Sequence, residues 1–186
     1  MLKERIFSNR GEDELTNFTL QNTCNRANGQ FFEDLISNSL DYYYEKGYAA
    51  IEKTPEPLKP LKNLGNGTFN AVYIKKAQPD YKGVLLGGQA IIFEAKYTNS
   101  TEIKQSAVTE TQCDCFERYQ KMGAKCYVMV CMQGTSFYRI PWNVWQGMSK
   151  LYGHKYMDQN SLEKFKLKSK GSVVLLLEGI ELLECA

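Results

Sequence analysis

The sequence predicts an α/β domain in which α-helices flank a central mixed β-sheet on both faces. The order of apolar patterns along the chain predicts this class. Helical apolar spacing is followed by a short β-like run, then by two apolar runs around Gly87-Gly88, a second helical pattern and a further apolar run. Such an order of helical and extended segments is typical of layered α/β cores. The length of 186 residues suits one domain with a sizeable core.

The N-terminal region holds the first predicted helix. Residues 1–27 are polar and lack periodicity, so we interpret them as a flexible N-terminal arm, with residues 28–186 forming a single domain. From Gly29 to Lys46 the apolar residues recur at helical spacing, and Gly47 supplies a natural stop. Glu33 falls in the first turn of this helix, where an acidic side chain suits the helix dipole.

The later elements follow from the same periodicities and from proline and glycine. Strands are predicted at 48–53, 71–76, 84–86, 90–93, 126–132 and 137–140, and helices at 107–122 and 142–151. Residues 58–70 are a loop or a projecting ribbon, since they carry Pro60, Gly65 and Gly67. Ser161 is expected to cap a short turn. Residues 172–183 fit a strand or a short helix equally well.

Composition excludes some classes of function. The formal net charge of +2 is too small to indicate nucleic-acid binding by itself, and no apolar run reaches the ~20 residues that span a bilayer. The N-terminus is charged and lacks the apolar segment of a secretory signal, so the six cysteines are expected to be reduced and the protein cytoplasmic. Cys113 and Cys115 diverge on a helix without a second Cys or His pair, which argues against zinc.

The central hairpin carries the candidate chemistry. Glu94 and Lys96 are two residues apart on an apolar strand, so they project to one face. A two-residue loop at Gly87-Gly88 would set Asp80 opposite Ala95, whereas a three-residue loop from Leu86 would set it opposite Glu94. We predict the three-residue or bulged turn, which brings the two carboxylates and the lysine together.

Two converging carboxylates suit Mg²⁺ (or Mn²⁺), which prefers oxygen ligands and keeps several waters. A neighbouring lysine can orient or deprotonate an attacking water. Pro79-Asp80 and Glu94-Ala95-Lys96 resemble the motif of the PD-(D/E)XK nuclease superfamily, whose fold is restriction-endonuclease-like. The resemblance implies metal ligation by Asp80 and Glu94 and water activation by Lys96. The alternative interpretation is an edge strand that carries a solvated salt bridge.

A more specific resemblance covers roughly Asn28 to Trp145. Its carriers are Asn28-Gly29, Phe32-Glu33, Ile36, Asn38, Tyr42-Tyr43, Gly47, Ala49, Ile51, Lys53, Pro55, Pro57, Asp80-Tyr81-Xaa-Gly83 and Phe93-Glu94-Ala95-Lys96. These residues resemble the RecU family of Holliday-junction resolvases. The resemblance implies homodimers that cut four-way DNA junctions with Mg²⁺. It also implies accessory roles at the site for Glu33 and Gln112, although a lone glutamine on a helix is usually exposed.

The family's projecting stalk corresponds to residues 56–78, which here are short and contain no arginine. Candidate DNA contacts in and beside this stalk-like insertion are Lys59, Lys62, Lys75, Lys76 and Lys82. A second basic stripe, Lys164, Lys166, Lys168 and Lys170, would contact phosphate or would form a solvated edge that discourages strand pairing.

Three functions remain open at this point. The first is a phage- or mobile-element-borne junction resolvase. The second is a nuclease of the same superfamily that acts on flaps, ends or plain duplex, which the altered stalk favours. The third is an inactive DNA-binding scaffold, against which the intact Asp80, Glu94 and Lys96 argue.

Overall fold

The computed structural model describes residues 10–55, 57–73 and 78–182. Its helices are α1 (Arg10–Glu45), α2 (Glu110–Lys121), α3 (Trp142–Gln146), α4 (Met148–Tyr152) and α5 (Gln159–Leu162), with 3₁₀ turns at Gln105–Ala107 and Glu163–Phe165. Its strands are β1 (Ala49–Lys53), β2 (Leu58–Gly65), β3 (Thr68–Tyr73), β4 (Tyr81–Leu85), β5 (Ala90–Thr98), β6 (Glu102–Lys104), β7 (Lys125–Met132), β8 (Ser136–Pro141), β9 (Tyr156–Asp158), β10 (Lys166–Leu167), β11 (Ser169–Lys170) and β12 (Val173–Val174).

A six-stranded sheet in the order β1-β4-β5-β7-β8-β10 forms the centre of the domain. Strands β5 and β7 are parallel, and the other neighbours in the sheet are antiparallel. The parallel pair needs a crossover, which β6 and α2 supply between the two strands. The predicted α/β class with a mixed central sheet is therefore confirmed.

Hydrophobic clusters cover both faces of the sheet. On one face, α1 and the C-terminal segment pack on residues such as Phe93, Met129 and Phe137. The other face carries α2, α3 and α4, with Phe116 stacked on Trp142 at a centroid distance of 4.7 Å. Ser39 on α1 accepts a hydrogen bond from the Val174 backbone N–H at 2.8 Å, which fastens the C-terminal segment to the helix. The sheet is thus a central layer between two apolar layers.

Helix α1 begins at Arg10, well before the predicted start at Gly29. Residues 12–28 contain neither proline nor glycine, and Gly11 lies in the first turn, so nothing in this stretch interrupts the helix before Gly29. The expectation that Glu33 occupies a first turn is wrong, because that residue lies in the interior of α1. Residues 1–9 of the predicted arm lie outside the described residues, and its flexibility stays a prediction. Gly47, with φ +71°, follows the helix as expected.

The turn between β4 and β5 has the predicted length. Leu85 N–H donates to the Gln89 carbonyl at 2.9 Å, so residues 86–88 form a three-residue loop, with positive φ at Gly87 and Gly88. The register pairs Tyr81 with Phe93. At the other edge of β4, Gly83 lies so close to β1 that a Cβ there would approach the Ala50 carbonyl oxygen to 2.1 Å. A glycine is therefore required for this strand pair to form.

Several local predictions need correction. The helix expected at 142–151 is divided into α3 and α4 at Gly147. The side chain of Asp158, rather than that of Ser161, caps α5 by accepting from the Ser161 backbone N–H. Residues 172–182 contain a two-residue strand and turns instead of a helix. Of the two interpretations of residues 58–70, the ribbon is confirmed, since β2 pairs with β3. Strand β3 also contains residues 71–73 of the strand expected at 71–76, whereas residues 74–76 lie outside the described residues.

Where the chain is described, none of its helices combines the length and the apolar character that crossing a bilayer requires.

Candidate active site

The hairpin register places Asp80 directly across from Glu94. Asp80 directly precedes β4. Since Tyr81 pairs with Phe93 in this antiparallel hairpin, the next position along the chain sets Asp80 opposite Glu94. Two hydrogen bonds hold it: the Asp80 N–H donates to Glu94 Oε2 at 3.2 Å, and the Ala95 N–H donates to Asp80 Oδ2 at 3.0 Å. The predicted convergence of the two carboxylates is confirmed.

Glu94 is the centre of the cluster. Its carboxylate is 1% exposed, and its Oε1 accepts from Lys96 Nζ at 2.7 Å and from Gln112 Nε2 at 2.6 Å. Lys96 retains 25% exposure of its side chain, and Asp80 is half-buried. Solvent and ligands therefore reach the cluster past Asp80 and Lys96, while Glu94 forms its floor.

Burial is the main cause of an unusual pKa at Glu94. Desolvation raises the pKa of this carboxyl, and the neighbouring Asp80 charge raises it further, while Lys96 acts in the opposite direction; the result is a pKa of about 7. Removing a carboxylate from water disfavours its charged form, and a second carboxylate adds repulsion. The site therefore contains more negative charge than Lys96 alone offsets.

Gln112 reaches Glu94 because of the way in which α2 begins. Thr109 is the N-cap residue, and its hydroxyl and backbone N–H both contact Gln112 Oε1 at 3.0 Å in a reciprocal capping box. A backbone N–H can only donate, so the atom it contacts must be the amide oxygen, and Gln112 Nε2 must face Glu94. The expectation that Gln112 is exposed is wrong, since it is 3% exposed.

Thr109 was not among the predicted site residues. The spacing Thr109-Xaa-Xaa-Gln112 is a capping-box signature and would have identified the start of α2. It would not have shown that the capped glutamine points at a carboxylate on β5.

The structure does not bring Glu33 into the hydrogen-bonded cluster. Its Oε2 lies 2.6 Å from Lys53 Nζ, with side-chain exposures of 32% and 54%. Glu33 and Asp80 both contribute negative charge near the buried Tyr81, whose pKa is raised, chiefly by burial. Glu33 thus lies at the edge of the cluster, and its accessory role stays a prediction.

The predicted DNA-contacting lysines fall in different surroundings. Lys59 pairs with Val72, and Lys62 pairs with Asn70. Val72 and Asn70 are two residues apart on β3 and point to the same face, so both lysines project from one face of the exposed ribbon. Lys82 is half-buried on β4 and donates to Gln78 Oε1 at 2.9 Å. Lys75 and Lys76 lie outside the described residues. DNA contact by these lysines stays a prediction.

The donor set fits a divalent cation in part. Asp80 and Glu94 present hard oxygen atoms side by side. The pKa of Glu94 is raised by burial first and by the Asp80 charge second, and a bound cation would offset both carboxylate charges. No group of three or more His, Cys, Asp or Glu side chains suited to a metal occurs in the described ranges. Two carboxylates suit Mg²⁺, which commonly takes its other ligands from water and phosphate.

Comparison with known proteins places the chain in a family. A family model described as "Recombination protein U" matches residues 27–183. The chain belongs to the RecU family. Two RecU relatives named "Holliday junction resolvase RecU" are similar over part of their length. That of Bacillus pumilus is 31% identical over 117 residues, covering 59% of this chain and 56% of the relative. That of Pediococcus pentosaceus is 32% identical over 108 residues, covering 55% and 53%.

This RecU chain spans about half the length of the curated relatives it matches. Among solved structures, Hjc of Archaeoglobus fulgidus, titled a Holliday junction resolvase from an archaeal hyperthermophile, is similar with a TM-score of 0.41 and 13% identity. The match covers 69% of this chain and 85% of that one. The family inferred from Asp80-Tyr81-Xaa-Gly83 and Phe93-Glu94-Ala95-Lys96 is confirmed by the family model.

Proposed function

We propose that this RecU-family chain is a divalent-metal-dependent endonuclease that cuts four-way DNA junctions as a homodimer. The observation that carries the proposal is the cluster of Asp80, Glu94 and Lys96, which the hairpin register assembles within hydrogen-bonding distance. Family membership and relatives named Holliday junction resolvase support the same substrate.

Each residue has a distinct role in the proposed reaction. Asp80 and Glu94 would hold Mg²⁺ (or Mn²⁺), which when bound stabilises charge on the phosphate and acidifies water. Lys96, whose ammonium contacts Glu94 Oε1 at 2.7 Å, positions the attacking water and offsets charge that develops on the scissile phosphate. Gln112 holds Glu94 by donating to the same oxygen at 2.6 Å. Attack in line with the leaving 3′ oxygen leaves a 5′-phosphate and a 3′-hydroxyl.

One observation favours a second candidate substrate. The segment 56–78 contains no arginine, and the described part of its ribbon exposes Lys59 and Lys62. Arginine is the side chain best suited to bidentate phosphate contacts. A RecU-family nuclease whose ribbon binds DNA phosphates weakly would retain the cleavage chemistry while acting on flaps, ends or plain duplex.

The first experiment is cleavage of a synthetic four-way junction with Mg²⁺, beside a duplex, a flap and a single strand of matched sequence. The proposal expects paired, symmetric nicks on the junction alone. Asp80→Asn and Lys96→Ala should each reduce the rate by at least ~100-fold, since each removes a group that acts on the reacting atoms. Lys104→Ala, an exposed lysine on β6, is the matched control and should cut at the wild-type rate.

The alternatives give different results in the same assay. Equal cutting of all four substrates would show that the enzyme cuts DNA in general and has no specificity for junctions. Absence of cutting with Mg²⁺ and with Mn²⁺, alongside retained DNA binding, would leave a scaffold. A monomer at the concentrations used for cleavage would contradict the homodimer, because symmetric nicking requires two linked sites.

A further inference from the structure

A second basic site lies away from the catalytic cluster. A cleft of about 390 Å³ opens between β7, β8 and the chain that follows α5. The charged and aromatic side chains that line it include Tyr127, Arg139, Lys164, Lys166, Lys168 and Glu178. Four of these are cationic and one is anionic, so the cleft favours an anion.

The strand register places this cleft on the sheet face opposite to Glu94. Paired residues on neighbouring strands point to the same face, so Glu94 shares a face with its partner Val128. Arg139 pairs with Met129, which points the other way and packs in the α1 cluster. A ligand in the cleft would therefore not compete for space at the catalytic cluster.

Arg139 is the most constrained cation in the cleft. It is half-buried, its Nη1 donates to the Leu176 carbonyl at 2.8 Å, and its guanidinium carbon lies 5.1 Å from the centroid of the Tyr127 ring. These contacts fix the guanidinium plane before any ligand arrives. Burial lowers the pKa of Arg139, which reflects the cost of removing the charge from water. A fixed guanidinium is well suited to bidentate recognition of phosphate oxygens.

The three lysines are available to a ligand. Lys166 contacts Glu163 at 3.1 Å and Lys168 contacts Glu178 at 2.6 Å, and all four side chains are at least 38% exposed. Such exposed ion pairs contribute little to stability, so a phosphate can replace the carboxylates at little cost. Lys164 lies 5.0 Å from the centroid of the Phe165 ring. Three lysines of the predicted stripe thus line a concave surface, whereas Lys170 is not among the lining residues, and phosphate contact by the stripe stays a prediction.

We propose that this cleft binds a backbone phosphate of the DNA substrate, with Arg139 as its anchor and Lys164, Lys166 and Lys168 around it. The proposal rests on the proposed nuclease function. The arginine-free ribbon gives a reason for such a site, since the chain then needs a fixed phosphate contact elsewhere.

The test is the salt dependence of DNA binding, measured by fluorescence anisotropy with a labelled four-way junction in EDTA, so that no cleavage occurs. The logarithm of the binding constant falls with the logarithm of salt concentration by ~0.9 for each phosphate neutralised. Arg139→Gln and Lys164→Gln should each make the slope shallower by up to about one, the value for a single phosphate, and weaken binding several-fold at low salt. Lys121→Gln, the same change at an exposed lysine on α2, should leave slope and affinity unchanged.

Lys164→Gln keeps the test valid if Arg139→Gln does not fold, because Lys164 is exposed. An unchanged slope in Lys164→Gln, or an equal change in Lys121→Gln, would overturn the proposal. An NMR titration that follows the Nε–Hε resonance of Arg139 distinguishes the possible ligands. The proposal expects this resonance to shift when a short duplex is added. A shift with inorganic phosphate or with an acidic peptide, but none with DNA, would also overturn the proposal.

The two proposals can fail separately. A cleft-dependent salt slope in a protein that cuts no DNA would keep this site and refute the nuclease. Junction cleavage together with an unchanged slope in both cleft variants would keep the nuclease and refute this site.

Discussion

The pKa of Glu94 predicts an unusual pH dependence of stability in the metal-free protein. Its folded-state pKa of about 7 lies above the ordinary value of 4.5, mainly because the carboxyl is buried and next to Asp80. Between these two values the folded state binds a proton that the unfolded state has released. The contribution of Glu94 to stability is therefore fully present below pH 4.5 and is lost as the pH rises through 7.

The size of this effect follows from the two pKa values. The interval from 4.5 to about 7 corresponds to ~3 kcal/mol, at ~1.36 kcal/mol for each pKa unit. Glu94→Gln removes the titrating group and keeps an acceptor for Lys96 and Gln112. Wild-type protein in EDTA should thus lose up to ~3 kcal/mol relative to this variant between pH 4.5 and 8, since groups common to both proteins cancel.

Urea unfolding at half-unit pH intervals measures this difference. Glu52→Gln, the same substitution at an exposed position on β1, is the control and should follow the wild type across the range. Mg²⁺ added at pH 8 should stabilise the wild type more than Glu94→Gln, because a ligand of the folded state alone stabilises it. A wild-type minus Glu94→Gln difference that stays constant from pH 4.5 to 8 would refute the raised pKa and the charge imbalance inferred from it.

Two further predictions concern packing and positioning. Gly83→Ala should lower the free energy of unfolding by about 1–3 kcal/mol or more in urea titrations, because its Cβ would lie 2.1 Å from the Ala50 carbonyl oxygen. Unchanged stability would mean that β1 and β4 do not approach each other as closely as the structure shows. Gln112→Leu should slow junction cleavage roughly tenfold or more, since it removes a ~1.5–3 kcal/mol hydrogen bond to the Glu94 carboxylate. Gln120→Leu, on an exposed face of the same helix, should cut normally; equal loss in both would indicate general damage to α2.

The parts of the site that the sequence predicted depend on local geometry. Alternation along a strand places Glu94 and Lys96 on one face, and the loop at Gly87-Gly88 sets the register that brings Asp80 opposite Glu94. Both relations act over a few residues and leave a pattern in the chain. The strong apolar runs of β5 and β7 likewise identified the central strands, because buried strands are nearly continuous in hydrophobic residues.

Segments with a weak apolar pattern differ more from the prediction. Residues 10–28 have no apolar stripe, so periodicity could not detect the first half of α1. Gly147 divides the helix predicted at 142–151 into two short helices. Apolar periodicity could not predict this break, because it leaves the spacing of the apolar residues almost unchanged. The role of Asp158 as a cap depends on which of two nearby polar residues adopts an extended backbone conformation.

The sequence by itself determined the α/β class, the hairpin that brings Asp80, Glu94 and Lys96 together, and the family, because each is encoded in residues close together along the chain. Only the tertiary structure decided that Gln112 is buried against Glu94, that Glu33 pairs with Lys53, and that Arg139 shares a cleft with distant lysines. These contacts join residues 18 to 29 positions apart, and they arise from the packing of helices and loops on the two faces of the sheet. No spacing rule fixes such distances, since they depend on how every intervening element packs.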